Sequence, residues 1–167
     1  MKIRTLGATA VLVLTLGACG GGDDSEASKA IADSMMESNT EGETFQVTQD
    51  QADCVGEGLV DEIGTDKIIE YGVLSEELET TEDGIEQVEM SDEDAESAAD
   101  VMMECADIKE IFTGEMGELP QEAQTCIDEK LTDDVLHEFL VAVFKNDQEG
   151  GTQNLMTALT ECMGAGG

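Results

Sequence analysis

Of the 167 residues none is tryptophan, one is tyrosine, one is histidine, one is proline, and aromatics amount to 3%. With few aromatics and no period-two alternation of apolar and polar residues, strands are not expected. Basic residues are also scarce. Seven Lys and Arg stand against 40 Asp and Glu, a net charge of −33. Arg4 is the only arginine, so the chain beyond it lacks the planar fork that grips carboxylate or phosphate. Such an acidic surface repels nucleic-acid phosphates and anionic headgroups, which excludes nucleic acid as a partner. It attracts simple cations or basic proteins and peptides. The plainer use of the same charge is a solvated face that keeps the protein soluble.

The catalytic vocabulary is equally thin. No G-x-S-x-G elbow occurs, and His137, the sole histidine, stands in "DDVLHEFLVAVF" among Asp133, Asp134 and Glu138. A lone histidine without a nucleophile partner makes no acid–base constellation, so no catalytic residue is assigned. Metal-binding patterns fail too. No C-x-x-C pair exists, and the spacings between successive cysteines from Cys54 onward are not those of a zinc site. The stretches "ETTEDGIEQVEM" and "NDQEGGTQNL" superficially resemble calcium loops. With Gly84 or Gly151 at the sixth place, however, Met90 or Thr157 occupies the twelfth, where a bidentate Glu is required. Met102, Met103, Met156 and Met163 at helical spacing suit core filling better than soft-metal binding. No metal and no cofactor is expected.

What is present begins at the N-terminus. Lys2 and Arg4 precede an apolar or small run from Leu6 to Leu16, too short for the roughly 20 residues of a membrane-crossing helix but suited to an export signal. The next residues complete the tetrapeptide Leu16-Gly17-Ala18-Cys19, which resembles the lipobox of bacterial lipoproteins. That resemblance implies a signal peptide over residues 1–18, cleavage before Cys19, and a diacylglyceryl group on its thiol. It further implies an anchor in the cell membrane, with the protein on the extracytoplasmic face. Two acyl chains suffice for stable anchoring, each buried methylene contributing about 0.8 kcal/mol. Loss of Lys2 and Arg4 with the signal leaves five lysines against 40 acids, a charge of −35.

Residues 19–47 read as a flexible acidic tether, because Gly20 to Gln46 carries seven acids, one lysine and a triple glycine. Only "SKAIADSMMES", with Ile31 and Met35 four apart, suggests a short docking helix within it. The helical domain is expected over 48–167. Thr48 and Gln51 form a capping box ahead of Ala52, Val55, Leu59 and Ile63, and Gly64 suits the stop. "TDKIIEYG" forms a short second helix. From Glu76 to Ser97 eleven acids and no base indicate a mobile acidic loop, the candidate cation-binding element. Ser91 with Asp94 caps a helix lined by Ala95, Ala98, Met102 and Ala106. Pro120 suits the first position of another, with Ala123, Ile127 and Leu131 as its stripe. Thr132 caps the most apolar segment, expected at the core centre, and Thr152 begins the last helix. The domain is read as all-α.

Two stretches match: "CVGEGLVDEI" from Cys54 and "CIDEKLTDDV" from Cys126. Two others, ending at Cys105 and Cys162, each close a Met-containing helix on Glu-Cys. This pattern indicates two tandem helical units, 48–113 and 119–164, each stapled internally. Four cysteines beyond Cys19, an even number in an exported chain, indicate two disulfides. The duplication favours Cys54 with Cys105 and Cys126 with Cys162. The resulting expectation is a membrane-anchored, non-enzymatic binding or interaction module. It meets the membrane through the lipid on Cys19 and takes an envelope protein or a cationic partner. The alternative is a surface protein whose acidic loop, residues 76–97, binds divalent cations or cationic peptides.

Overall fold

The computed structural model describes residues 22–41, 47–81, 88–115, 120–147 and 150–164. The lipobox and the signal segment lie outside the described residues, as do residues 82–87 of the acidic loop. Among the described residues the fold is all-α, with eight helices and no strands. They are α1 (Asp23–Glu41), α2 (Gln49–Ile63), α3 (Thr65–Glu70), α4 (Asp92–Cys105), α5 (Ile108–Glu115), α6 (Gln121–Lys130), α7 (Asp133–Phe144) and α8 (Gly150–Gly164).

Local chemistry sets most of the boundaries. The Thr48 hydroxyl accepts from the Gln51 amide, and the Gln51 side chain accepts from the Thr48 amide, a reciprocal cap that opens α2. Gly64, at φ 91°, closes α2 and opens α3 in a conformation that a side chain would resist. Thr132 caps α7 by accepting from the Val135 amide. Pro120 stands one place earlier than expected, as the residue preceding α6 rather than within it.

In packing order the helices run α1, α2, α4, α7, α8, α6, with α3 against the beginnings of α1 and the end of α2. The main core gathers Val55, Leu59, Val60 and Ile63 of α2 and Ile68 of α3. Ala95, Ala98, Ala99 and Val101 of α4 and Leu136, Leu140 and Phe144 of α7 complete it. Each fully buried Val, Leu or Ile contributes about 1.5–3 kcal/mol. The apolar helix α7 thus occupies the expected central place. A second cluster, Ile127, Leu131, Leu155, Ala158 and Cys162, seals α6 to α8. Phe112 of α5 meets Phe139 of α7 edge to face, ring centres 5.4 Å apart, and packs against both clusters.

The disulfides join Cys54 to Cys105 and Cys126 to Cys162, with Cα separations of 5.5 and 5.4 Å. The first clamps α2 to α4 and the second α6 to α8. Closing loops of 51 and 36 residues stabilises by about 4 kcal/mol each on the chain-entropy estimate. The sequence similarity of the two units stops short of a full structural match. Where Val60 continues α2, its counterpart Thr132 caps a new helix.

Two expectations are corrected. Residues 23–41, expected within a flexible tether, form a 19-residue helix. Ala27, Ile31 and Ala32 of α1 are buried against α2. Gly56 permits this approach: a Cβ there would stand 2.3 Å from the Ser28 carbonyl oxygen. The acidic loop is not free at its ends either. Leu74, Val88 and Met90 are buried in the main core, the Met90 amide donates to the Phe144 carbonyl at 2.9 Å, and Leu74 bridges to Thr80. Its last six residues belong to α4.

Candidate functional site

The described surface carries a groove bordered by two helix starts and one helix end. About 780 Å³ in volume, it lies where the end of α4 meets the beginnings of α5 and α7. Met103, Ala106, Ile108 and Leu136 supply apolar lining. Asp100, Glu104, Asp107, Asp133 and Asp134 supply carboxylates, and Lys109 and His137 the basic groups. The α4 terminus adds negative character, since its last turn contains no basic residue.

The carboxylate count overstates the pull on a cation. Asp107 accepts from the Glu110 amide at 2.9 Å, capping α5. Asp133 and Asp134 occupy the first turn of α7, where the helix dipole offsets their charge. His137 Nε2 is 3.1 Å from Asp100 Oδ1, so the one histidine already has a neighbour. Lys109 turns to α6, 3.4 Å from the Asp128 carboxylate and donating to the Asp128 carbonyl at 2.7 Å. Among the described residues, no group of three or more His, Cys, Asp or Glu side chains is placed to hold a metal ion.

The remaining lysines follow the same rule. Lys29 pairs with Asp33, Lys130 with Glu161 at 2.9 Å, and Lys145 with Asp92 at 2.6 Å. All three ammonium groups are raised above their usual pKa by these hydrogen-bonded carboxylates. Exposed pairs of this kind are screened by water and contribute little to stability.

Asp94 differs, being buried at 5% exposure. Lys67 Nζ donates to it at 2.8 Å, the Tyr71 hydroxyl at 2.6 Å and the Ser91 hydroxyl at 2.9 Å. The Tyr71 oxygen in turn accepts from the Ser91 amide at 3.2 Å. Lys67 first, then Tyr71, holds the Asp94 carboxyl below the usual carboxylate range against the opposing effect of burial. This cluster ties α3 to the start of α4, lies outside the groove of α4, α5 and α7, and serves the fold. In the sequence Asp94 reads only as the third residue after a capping Ser, and Tyr71 as an apolar helix residue.

The structure therefore brings His137, Asp133 and Asp134 into one groove with Cys105 and leaves Cys54, Cys126 and Cys162 outside it. Cys19 lies outside the described residues. The chain matches no protein-family profile, no curated protein and no solved structure. Among the described residues no helix is long and apolar enough to cross a membrane.

Proposed function

We propose that the protein is a non-enzymatic interaction module anchored by lipid to the extracytoplasmic face of a cell membrane. The segment Leu16-Gly17-Ala18-Cys19, placed after a basic start and an apolar run, carries the proposal. Its small residues admit a peptidase to the backbone, and its thiol accepts the diacylglyceryl group. Two disulfides agree with an oxidising compartment. The stapled helical body then presents acidic surface to a partner in the envelope.

Detergent partition of the protein made in a lipoprotein-processing bacterium tests the anchor. The native chain is expected in the detergent phase, with an intact mass lacking residues 1–18 and increased by the lipid. Cys19→Ser is expected in the aqueous phase. Native protein in the aqueous phase with free thiols would overturn the proposal.

One observation favours a second reading. The groove between α4, α5 and α7 combines apolar lining with carboxylates from three helices, which suits an amphipathic cationic segment better than a bare ion.

A further inference from the structure

We infer that the domain is held at the bilayer surface on a leash of three glycines, with the end formed by the starts of α1 and α3 nearest the membrane. The inference rests on the lipid anchor proposed above and adds its geometry. Only Gly20, Gly21 and Gly22 separate Cys19 from the first residue of α1. Four residue steps reach at most about 14 Å, whatever their conformation. Had residues 19–47 served as a coil, the r.m.s. reach would be about 30 Å and the full extension about 100 Å.

Helix α1 cannot act as that coil while docked. Ala27 and Ala32 are 0% and 1% exposed, Ile31 is 5% exposed, and Gly56 admits the Ser28 carbonyl into contact distance. Its first turn is fixed as well, since the Thr65 hydroxyl donates to Asp24 at 2.8 Å and thereby brings the start of α3 alongside. The pair α6 and α8 lies at the other end of the helix packing order. Asp23, Asp24, Glu26 and Asp66 at the near end repel phosphate headgroups, yet four residue steps limit how far that end can retreat. A consequence concerns partners. Those within reach are proteins resident in the same membrane, not components of a distant envelope layer.

Single tryptophan reporters test this in a chain that has none. Asp66→Trp and Asp23→Trp, both at exposed positions, mark the near end. Met156→Trp, at a residue 57% exposed on α8, marks the far end. The lipidated full chains are reconstituted on phosphatidylcholine vesicles containing headgroup-nitroxide lipid, then floated on a density gradient. Both near-end reporters are expected to be quenched severalfold more than the Met156→Trp chain. Inserting a 20-residue Gly-Ser segment between Gly21 and Gly22 is expected to erase that difference. Equal quenching at the two ends, or near-end quenching unchanged by the insertion, overturns the inference while floating vesicles keep the anchor. Chains that fail to float overturn both.

Discussion

At the scale of single residues, Asp94 is the informative acid among 40. It alone among the described residues is a buried charged side chain, and three donors converge on it. Its carboxyl is held below the ordinary range in the folded protein. A depressed carboxyl stabilises at pH above its unfolded value, and that contribution is lost as pH falls through the folded value. Lys67, raised by the same bond, works oppositely at the alkaline end, its contribution fading as pH rises through its folded value. Asp94→Asn is therefore expected to lower stability by about 1–3 kcal/mol at neutral pH. Lys67 is half exposed and regains water, which keeps the loss below that of a fully buried pair. Urea melts of both chains across pH 2–7 check this. The difference should narrow as pH drops below the usual carboxylate range, and a constant difference would show that Asp94 acts by shape alone. Nothing in the local sequence marks this residue out. Acids surround it, and its burial depends on Lys67 and Tyr71, more than 20 positions away.

Among the elements, those with strong local signals were legible, and α1 only in part, through Ile31 and Met35 spaced four apart in "SKAIADSMMES". The cap residues Thr48, Ser91 and Thr132, and the stripes Ala52-Val55-Leu59-Ile63 and Ala123-Ile127-Leu131, fix α2, α4, α6 and α7 from short-range chemistry. Cysteine spacing and the matched stretches likewise pointed to both staples. Helix α1 instead contributes small side chains to a tight crossing, and the permission for that crossing lies in Gly56 of another helix. The carboxylates of the groove were visible as residues but not as neighbours, because they arrive from three helices. Gly56→Ala separates local from tertiary preference. Alanine favours α2 itself by about 1 kcal/mol, yet its Cβ must displace the Ser28 carbonyl. Cutting within a docked helix requires local opening, so tryptic cleavage after Lys29 reports docking. Gly56→Ala is expected to accelerate that cut about tenfold, equivalent to about 1.4 kcal/mol. Gly58→Ala should leave it slow, because its Cβ presses on Val101 of α4 rather than on α1. Equal rates in wild type and Gly56→Ala would mean that α1 is not held by this crossing.

For the whole molecule, net charge opposes compaction, and the disulfides and core hold it. Every lysine among the described residues lies within 4.0 Å of a carboxylate, and five lysines cannot match so many acids. Unpaired like charges on a body this small repel over distances set by the ionic strength, about 30 Å at 0.01 M and about 3 Å at 1 M. Screening should then stabilise the fold even though it weakens the few ion pairs, because the repulsive pairs far outnumber the attractive ones. The midpoint of thermal unfolding of the disulfide-intact chain is accordingly expected to rise steadily from 0.01 to 1 M NaCl. Calcium distinguishes diffuse charge from a built site. If the acids act collectively, calcium raises the midpoint gradually, and the increment shrinks as NaCl is added. A site within the groove or the acidic loop would instead give a saturating rise that persists at physiological salt. The helix starts that already offset Asp107, Asp133 and Asp134 favour the first outcome. A midpoint that falls with added NaCl would mean that the five lysine pairs outweigh the mutual repulsion of the remaining acids.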